Sequence, residues 1–421
     1  MRVLIVTVGS GGDVHPFLAV GRALAARGAE VRVMTNPHFA ATVEGAGLPL
    51  VPIGTEEEYL AAVKHPDLIH PIRGPMYVLN ELVLTRAEEM YVLTRKVIRD
   101  WRPDVVLRHH IAFGAAWAAE REHVKQAAAV LAPVFWLNWR NPSVFGSVPV
   151  ALPPMLSRAR LSVSSAMGRW LIDRPCNAIR AKIGMAPIRN MFWAMSRESD
   201  LNLGLWSPTF RGPTEGDPQR GHIVGFASYD GAPTTASDPA TQRLRAFIAG
   251  GPAPVVFTLG TSVAHHAGNF YKMAAEVCSL LGLRAVFAGL DASEVEPRAS
   301  LCAIKYVPFK ELFPLAAAIV HHGGVGTTGA CLRAGKPQVV VAYANDEFDN
   351  AARVARLGCG AACRAVSVLR QPMSAAKLRT ALEAVLRPEV SRRAAEVGGM
   401  MASEDGAVRA AELVTNAASA A

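Results

Sequence analysis

Short apolar runs alternate with helical patterns along both halves of the chain. The run VLIVTVG near the N-terminus is followed by apolar residues three or four positions apart up to Leu24, a spacing that predicts a helix with one buried face. Further runs predict buried strands in the first half (EVRVMTN, PDVVLRHH, QAAAVLAPVF) and in the second (APVVFTLGT, RAVFAGL, AIKYVPF, AIVHHGG, PQVVVAYA). This alternation predicts an α/β protein with parallel sheets covered by helices on both faces.

The length of 421 residues predicts two domains. Segments rich in Pro, Gly and polar residues separate the two halves, and they predict domains at 1–206 and 241–421 joined by a linker region at 207–240. The last helix is a candidate to return to the N-terminal domain. Because parallel sheets bind ligands beyond the carboxyl ends of their strands, two facing halves predict a binding cleft.

Composition narrows the class of protein. Half of the residues are hydrophobic and 19% are charged, which is typical of a well-packed α/β protein. The longest apolar run is too short to cross a membrane, and the N-terminal run is too short for a signal peptide, so we expect a cytoplasmic protein. The six cysteines are scattered without a C-x-x-C, which predicts free thiols. The formal charge of +9 is dispersed, which favours solvated helix surfaces over a nucleic-acid site.

The segment HHGGVGTTGACLRAG, residues 321–335, places glycines and hydroxyl side chains between a predicted strand and a predicted helix. Backbone N–H groups and the positive helix end bind phosphate groups in such turns. Two other phosphate motifs do not fit. GSGGDV has Val14 at the third glycine of a dinucleotide fingerprint, and AGKP has Pro337 where a P-loop needs Ser or Thr. The sequence therefore disfavours a dehydrogenase and an ATPase.

Three further features suit a nucleotide-sugar ligand. Adjacent histidines on a strand point to opposite faces, so only one of His321 and His322 can face a ligand, and the pair is a poor metal site. Asp346 and Glu347 follow the next strand and suit hydrogen bonding to sugar hydroxyls, with a helix N-cap as the alternative role of Asp346. Tyr306 can either stack on a base or belong to the core.

The order of these motifs resembles the donor-binding signature of nucleotide-sugar glycosyltransferases: aromatic-Val-Pro, H-H-G-G-x-G-T, then a strand with an acidic pair and Asn. The resemblance covers nearly the whole chain, including GSGGDVHPFLAVGRALAARG, VFTLGTS and SEDGAVRAAELV. The chain is most similar to UDP-glycosyltransferase-like bacterial enzymes, such as rhamnolipid rhamnosyltransferase catalytic subunits and sterol or antibiotic glycosyltransferases. This family implies the GT-B fold, two Rossmann-like domains facing across a cleft, and inverting transfer without a metal or other cofactor.

Carried over by position, the resemblance implies a donor site in the C-terminal half. Tyr306 takes the place of the base-stacking aromatic, and Asp346 that of the acid that binds the transferred sugar. The diphosphate contacts fall on His322, Gly324, Gly326 and Thr327, with Thr261 or Ser262 from the facing turn.

Three positions depart from the family pattern. Glu347 stands where the usual residue is Gln, so a hydrogen-bond donor is replaced by an acceptor. Ala330 replaces a Glu that binds the ribose in many relatives, and Phe309 replaces a Gln. These departures leave the preferred sugar and the base, uracil or thymine, open.

Inverting transfer needs a base for the acceptor hydroxyl, and GGDVHP offers Asp13 and His15. Plant relatives have a catalytic His at the position of Asp13, and many bacterial relatives have Asp. We expect Asp13 to be the base, with a helix N-cap as its alternative role and a pKa lowered by the helix end. The strand end that carries the orienting acid in plant relatives is RHH here, so no charge relay is expected.

The acceptor side is expected in the loops of the N-terminal domain. The segment 77–93 and the aromatic positions Trp136, Trp139, Met191 and Phe192 are apolar enough to line a pocket, although core packing is the commoner role of such residues.

The sequence as a whole predicts an inverting glycosyltransferase that moves a hexose or deoxyhexose from a UDP- or dTDP-sugar to a hydroxyl of a hydrophobic small molecule. Rhamnosylation of a hydroxy-fatty acid from dTDP-rhamnose is an alternative. A catalytically silent nucleotide-sugar-binding helper is another, from a different class. The expected partners are a nucleotide sugar and a hydrophobic or lipid acceptor rather than nucleic acid; peripheral membrane association and the oligomeric state stay open.

Overall fold

Each of the nine predicted strand segments forms a strand in the computed structural model, which describes residues 1–136, 140, 154–191, 199–231, 238–260, 263–365 and 373–419. The strands form two parallel sheets. The first sheet contains β1 (Arg2–Val6), β2 (Glu30–Thr35), β3 (Leu50–Pro52), β4 (Val105–His109), β5 (Lys125–Val130), β6 (Leu201–Gly204) and β7 (Gly221–Ile223). The second contains β8 (Val255–Thr258), β9 (Ala285–Ala288), β10 (Leu301–Ile304), β11 (Ala318–His321), β12 (Gln338–Ala342) and β13 (Gly360–Arg364).

Helices connect the strands within each half. In the first half they are α1 (Gly11–Ala26), α2 (Ala40–Gly45), α3 (Glu56–Lys64), α4 (Gly74–Tyr77), α5 (Ala87–Trp101), α6 (Phe113–Arg121), α7 (Pro154–Gly168) and α8 (Arg174–Lys182). In the second half they are α9 (Pro239–Ala249), α10 (Phe270–Leu280), α11 (Phe309–Leu312), α12 (Val325–Arg333), α13 (Glu347–Arg356), α14 (Ala375–Val385), α15 (Pro388–Met400) and α16 (Gly406–Ser419).

Both sheets have the same doubly wound topology. The strand orders are β3-β2-β1-β4-β5-β6-β7 and β10-β9-β8-β11-β12-β13, and every pairing is parallel. The order reverses between β1 and β4 in the first sheet and between β8 and β11 in the second. In open α/β sheets the ligand crevice lies at this reversal, beyond the carboxyl ends of the strands.

The first strand shows why the sheet carries helices on both faces. Val3 and Ile5 are fully buried against α1, whereas Leu4 and Val6 are fully buried in a second cluster that contains α5 and α6. A strand with no exposed face reads as a continuous apolar run, and the run VLIV therefore predicts the strand without alternation.

The N-terminal sheet continues into the predicted linker region, 207–240. β7 pairs with β6 through Asn202 and Gly221, so the N-terminal sheet extends to Ile223. Phe210, near the start of the predicted linker, is buried in the same core cluster as Trp206, the last residue of the predicted N-terminal domain. Pro- and Gly-rich composition indicates turns, but it does not tell whether a short strand between two turns joins a sheet.

The C-terminal helix α16 lies on the N-terminal domain. Ala410, Ala411 and Val414 are fully buried in the same cluster as Phe17 of α1. The Lys125 ammonium group donates to the carbonyl oxygens of residues 417 and 418 at 3.2 Å each, which places a positive charge at the negative end of α16. No helix among the described residues is long and apolar enough to cross a membrane.

The chain crosses between the domains at two points that touch each other. Gly225, before the C-terminal domain, and Gly406, at the start of α16, are in backbone contact, and a Cβ at Gly406 would overlap the carbonyl group of Gly225. The guanidinium of Arg333 in α12 donates to the carbonyl oxygens of Phe226 at 3.1 Å and Glu404 at 3.4 Å. The two crossings therefore form one packed hinge.

We expect Gly406→Ala to lower the free energy of unfolding by about 1–3 kcal/mol, because the added methyl group forces the two crossing segments apart. Gly399→Ala is the matched control, since a Cβ there meets no atom within 4 Å and alanine favours the helix. Denaturant unfolding of the three proteins measures the difference. Equal stability of both variants would show that the hinge packing does not matter.

Candidate active site

A cleft of about 1250 Å³ lies where the carboxyl ends of the two sheets face each other. Its lining comes from the turn after β1, the end of β4, the turns after β8 and β11, and the turn after β12. The reversal points of both strand orders therefore open into one space.

Asp13 lies in the first turn of α1 and also faces this cleft. Its Oδ2 accepts hydrogen bonds from the Ser10 backbone N–H at 2.7 Å and the Ser10 hydroxyl at 3.1 Å. The N-cap of α1 is Ser10 and Asp13 is the third residue of the helix, so the alternative role of Asp13 as the N-cap is wrong. Its side chain is nevertheless one-third exposed to the cleft. Burial raises the pKa of Asp13 to about 6 and outweighs both hydrogen bonds from Ser10, which lower it. The expectation of a lowered pKa from the helix end was therefore wrong in sign.

His109, at the end of β4, lies beside Asp13. Its Nε2 is 3.9 Å from Asp13 Oδ1, beyond hydrogen-bond distance, and its side chain is buried. Burial, with the nearby positive charge of Arg108, lowers the pKa of His109 to about 3, so the imidazole is neutral. The strand end RHH provides no acid, as predicted, but it places a neutral histidine next to the candidate base, which the sequence did not indicate.

His15 also lines the cleft, two residues after Asp13 on α1. Its ring contacts Tyr229 edge to face at 5.8 Å between centroids. Burial lowers its pKa, so the imidazole is neutral near pH 7.

The two adjacent histidines point in different directions, as predicted for a strand. His321 is fully buried; its Nε2 is 2.8 Å from Gln338 Oε1, and its Nδ1 accepts a hydrogen bond from the Gly323 N–H at 3.1 Å. His322 lines the cleft instead. Burial lowers the pKa of His322 to about 3, and its Nδ1 has no hydrogen-bond partner.

Glycines on both sides make room for the His322 ring. A Cβ at Gly260, in the turn after β8, or at Gly324, the N-cap of α12, would collide with the imidazole. Gly326 and Thr327 in the first turn of α12 also line the cleft, so the positive end of this helix points into it. The turn thus has the form of an anion-binding site.

Two acids follow β12 at the same wall. Asp346 Oδ2 accepts a hydrogen bond from Asn350 Nδ2 at 2.8 Å, and the same Asn350 amide donates to the Gly323 carbonyl oxygen at 2.9 Å. Burial raises the pKa of Asp346 to about 7, and the negative charge of Asp13 adds to this rise. The sequence motif contained Asn350, but only the structure shows that it connects the acid to the glycine turn.

Glu347 is buried next to Asp346. Its Oε2 accepts the backbone N–H groups of Tyr343 at 2.6 Å and Ala344 at 2.9 Å. Burial raises the pKa of Glu347 to about 8, although these two hydrogen bonds lower it. Because Oε2 is occupied by the backbone, Oε1 is the oxygen left for a ligand.

Tyr306 lies at the rim of the cleft on the side of the C-terminal domain, with 55% of its surface exposed. Its hydroxyl donates to the Asp230 carbonyl oxygen, which fixes the ring at the surface. Phe309 also lines the cleft and stacks on Phe313 at 4.4 Å, and Ala330 lines it without a polar group. An exposed, anchored aromatic ring is suited to stacking.

Trp136 and Met191, the two predicted acceptor residues that the structure describes, do not line the cleft. Trp136 is buried against Trp206 at 4.9 Å between ring centroids, and Met191 is fully buried in the core around α5 and α6. Their apolar character serves packing, which is the commoner role of such residues. Trp139, Phe192, Thr261 and Ser262 lie outside the described residues.

An apolar wall is present in the N-terminal half of the cleft, built from other residues. Part of it comes from the segment 77–93 that the sequence singled out, and the remainder from the ends of β4 and β5 and from the turn after α7. Its members include Leu79, Leu82, Val83, Phe113, Phe135 and Leu171. Among the described residues, no group of three or more His, Cys, Asp or Glu side chains is arranged to hold a metal ion.

Both halves of the chain match known sequence families. Residues 3–120 match the glycosyltransferase family 28 N-terminal domain, and residues 288–415 match the erythromycin biosynthesis protein CIII-like C-terminal domain. An uncharacterised glycosyltransferase of Mycobacterium leprae is 29% identical, covering 98% of this chain and 95% of its own. Glycosyltransferase GtfE of Amycolatopsis orientalis is also 29% identical, covering 98% of this chain and 97% of its own.

Solved structures agree with the fold. The glycosyltransferase of kitacinnamycin matches with a TM-score of 0.70 and 23% identity, covering 99% of this chain and 98% of that one. Glycosyltransferase VinC in complex with dTDP matches with a TM-score of 0.66 and 19% identity, covering 99% of each chain. These matches confirm the predicted GT-B fold.

We expect Asp346→Asn to raise the thermal unfolding midpoint at pH 8 and to leave it nearly unchanged at pH 4. The pKa of Asp346 is raised from 3.8 to about 7 in the folded protein, so its contribution to stability is complete below pH 3.8 and is lost as the pH rises through 7. An amide cannot ionise, so the variant avoids this loss. At about 1.4 kcal/mol per pKa unit, a rise from 3.8 to about 7 makes the loss on the order of a few kcal/mol.

Asp238→Asn is the matched control for this measurement. Asp238 caps α9 by accepting the Thr241 N–H at 2.8 Å, and this hydrogen bond lowers its pKa. Asparagine keeps an oxygen that accepts this hydrogen bond but loses the carboxylate charge that the folded protein stabilises. The variant should therefore lower the midpoint at pH 8, the opposite direction. A rise that is equal at both pH values in Asp346→Asn would contradict the raised pKa.

Proposed function

We propose that this chain transfers a hexose or deoxyhexose from UDP or dTDP to a hydroxyl of a hydrophobic small molecule, with inversion. The premise is that the chain is a GT-B glycosyltransferase of the UDP-glycosyltransferase-like family. One observation carries this proposal. The carboxyl group of Asp13 faces, across the cleft, the glycine turn, His322 and Asp346 of the other domain.

The donor half of the cleft suits a nucleoside diphosphate. The first turn of α12 offers backbone N–H groups and a positive helix end to the diphosphate, and the neutral ring of His322 lines the cleft beside this turn. The exposed ring of Tyr306 is placed to stack on the base. As the bond between the anomeric carbon and the diphosphate oxygen breaks, these groups stabilise the charge that develops on the leaving group.

Asp13 acts as the base in this mechanism. It takes the proton of the acceptor hydroxyl while the hydroxyl oxygen forms its bond to the anomeric carbon from the side opposite the diphosphate. A pKa of about 6 leaves Asp13 mostly ionised at neutral pH and more basic than an exposed carboxylate. Ser10 holds Oδ2, so Oδ1 is the oxygen available for the proton, and the adjacent His109 is a candidate positioning residue for it.

Glu347 takes the place of the glutamine amide in sugar recognition. Its Oε2 accepts two backbone N–H groups, so the proton of the neutral carboxyl group resides on Oε1. With a pKa of about 8, this O–H is present at neutral pH and donates to a sugar hydroxyl as an amide N–H would. Glu347 therefore keeps the donor function that the sequence change had suggested was lost.

The acceptor class follows from the apolar wall opposite the donor half. This wall contains aliphatic and aromatic side chains such as Leu79, Phe113 and Leu171, and it would hold a hydrophobic acceptor with its hydroxyl near Asp13. A hydroxy-fatty acid is one acceptor that fits this description, and it belongs in an acceptor panel beside polycyclic alcohols.

The function is tested with Asp13→Asn and a nucleotide panel. The unaltered protein should show a thermal shift with UDP or dTDP but not with NAD, because a ligand at about 100 times its dissociation constant stabilises a fold by about 2.7 kcal/mol. Asp13→Asn should keep this shift and lose sugar transfer by at least about 100-fold, since it removes the base and keeps the cap geometry. No shift with any diphosphate would contradict the donor site; equal loss of both properties would make Asp13 structural.

The role of Glu347 is tested by the pH dependence of transfer. The rate should rise through pH 6 as Asp13 ionises and fall through pH 8 as Glu347 loses its proton. Glu347→Gln should remove the alkaline fall and keep the rise near pH 6, which serves as the internal control. A fall centred near pH 8 that persists in Glu347→Gln would exclude this role, whereas a residual fall near pH 7 would report Asp346, whose pKa is about 7.

A further inference from the structure

The helix α7 and the turn that follows it carry a line of exposed apolar side chains. Leu156, Val163, Met167 and Trp170 are between 48% and 67% exposed. Their spacing of seven, four and three residues puts them on one face of a helix, although the last turn, Arg169–Asp173, is a π-helix. We call these four residues the apolar ridge.

The surroundings of the apolar ridge are strongly basic. Residues 154–191 contain seven Arg or Lys residues and one acid, Asp173, so this segment has a formal charge of +6 out of +9 for the whole chain. Asp173 is buried and accepts the backbone N–H groups of Asn190 at 2.6 Å and Met191 at 2.8 Å, so it does not offset the surface charge.

Most of this charge is at the surface. Arg180 is buried and makes two hydrogen bonds of 3.0 Å to Glu120, so it belongs to the interior. The exposed basic residues of the described side chains in this segment are Arg169, Arg174, Lys182 and Arg189.

The apolar ridge adjoins the acceptor half of the cleft. Met167, Arg169 and Leu171 line the cleft, so the segment that exposes the ridge also forms part of the apolar wall. A molecule bound to the ridge would therefore lie at the mouth of that wall.

We propose that the apolar ridge and its basic flanks dock this chain on an anionic lipid surface, with the acceptor side of the cleft toward the lipid. A helix with exposed aliphatic and Trp side chains on one face and arginines beside them binds where acyl chains and anionic headgroups meet. A second copy or a protein partner would also cover apolar side chains, but the near absence of acids in the segment favours a uniformly negative partner.

The docking on lipid does not depend on the donor site. Only its consequence, the entry of the acceptor into the cleft from the lipid, rests on the proposed function. If the acceptor is hydrophobic, as proposed, it would partition into the same lipid and enter the cleft from it. Vesicle binding without transfer would contradict the proposed function alone, and transfer without vesicle binding would contradict the docking alone.

The experiment is co-sedimentation of the full chain with phosphatidylcholine vesicles, with and without phosphatidylglycerol. We expect binding to the anionic vesicles that weakens as salt rises. The double variant Val163→Ser/Trp170→Ser should reduce the partition coefficient at least about tenfold, because two apolar side chains no longer enter the lipid. Leu280→Ser is the matched control: Leu280 is 75% exposed on α10 in the other domain, and its loss should leave binding unchanged.

Three results would overturn the proposal. The first is an absence of binding to anionic vesicles at low salt. The second is equal binding of the double variant and the unaltered chain, provided that both have the same circular dichroism and thermal midpoint. The third is a dimer in sedimentation equilibrium that the double variant converts to a monomer, which would assign the apolar ridge to a second copy of this chain.

Discussion

Desolvation between the two facing sheet edges controls the chemistry of this protein. The reversal points of two sheets with the same strand order meet in one cleft, so polar side chains from both are withdrawn from water together. Burial is the first cause of every large shift there: it raises the pKa of Asp13, Asp346 and Glu347 and lowers that of His109 and His322. Each group is moved toward its neutral form, because charge is costly where water is excluded.

Close backbone approach makes this arrangement possible. The His322 ring fits only because Gly260 and Gly324 lack side chains on either side of it, and the domain crossings meet only because Gly225 and Gly406 do. The two oxygens of the Asp13 carboxyl group have different surroundings: Oδ2 accepts the backbone N–H of Ser10, the N-cap of α1, and Oδ1 stays available to the cleft. The sequence offered N-cap and base as alternative roles of Asp13, and the structure gives the N-cap to Ser10.

The sequence predicted nine of the thirteen described strands, the GT-B fold and the glycosyltransferase class, because buried parallel strands are apolar runs and the glycine turn has a long motif. It did not predict strands β3, β6, β7 and β13. It did not predict features that depend on distant partners. Asn350 joins Asp346 to Gly323 only once two strands are neighbours, and His109 approaches Asp13 only across the first reversal point. Trp136 was predicted to line the acceptor pocket but lies in a core cluster, because the sequence does not distinguish an apolar side chain in a core from one in a pocket.

The pKa order across the cleft separates the roles of the carboxyl groups. Asp13, on the N-terminal domain, has the lowest value, about 6, while Asp346 and Glu347 on the C-terminal domain have values of about 7 and 8. A bound diphosphate adds negative charge beside α12, and a like charge raises the pKa of a nearby acid further. If a nucleotide sugar binds as proposed, its diphosphate charge therefore keeps Glu347 protonated and able to donate a hydrogen bond. Asp13 has the lowest pKa of the three carboxyl groups, so it is the one that is mostly ionised at neutral pH.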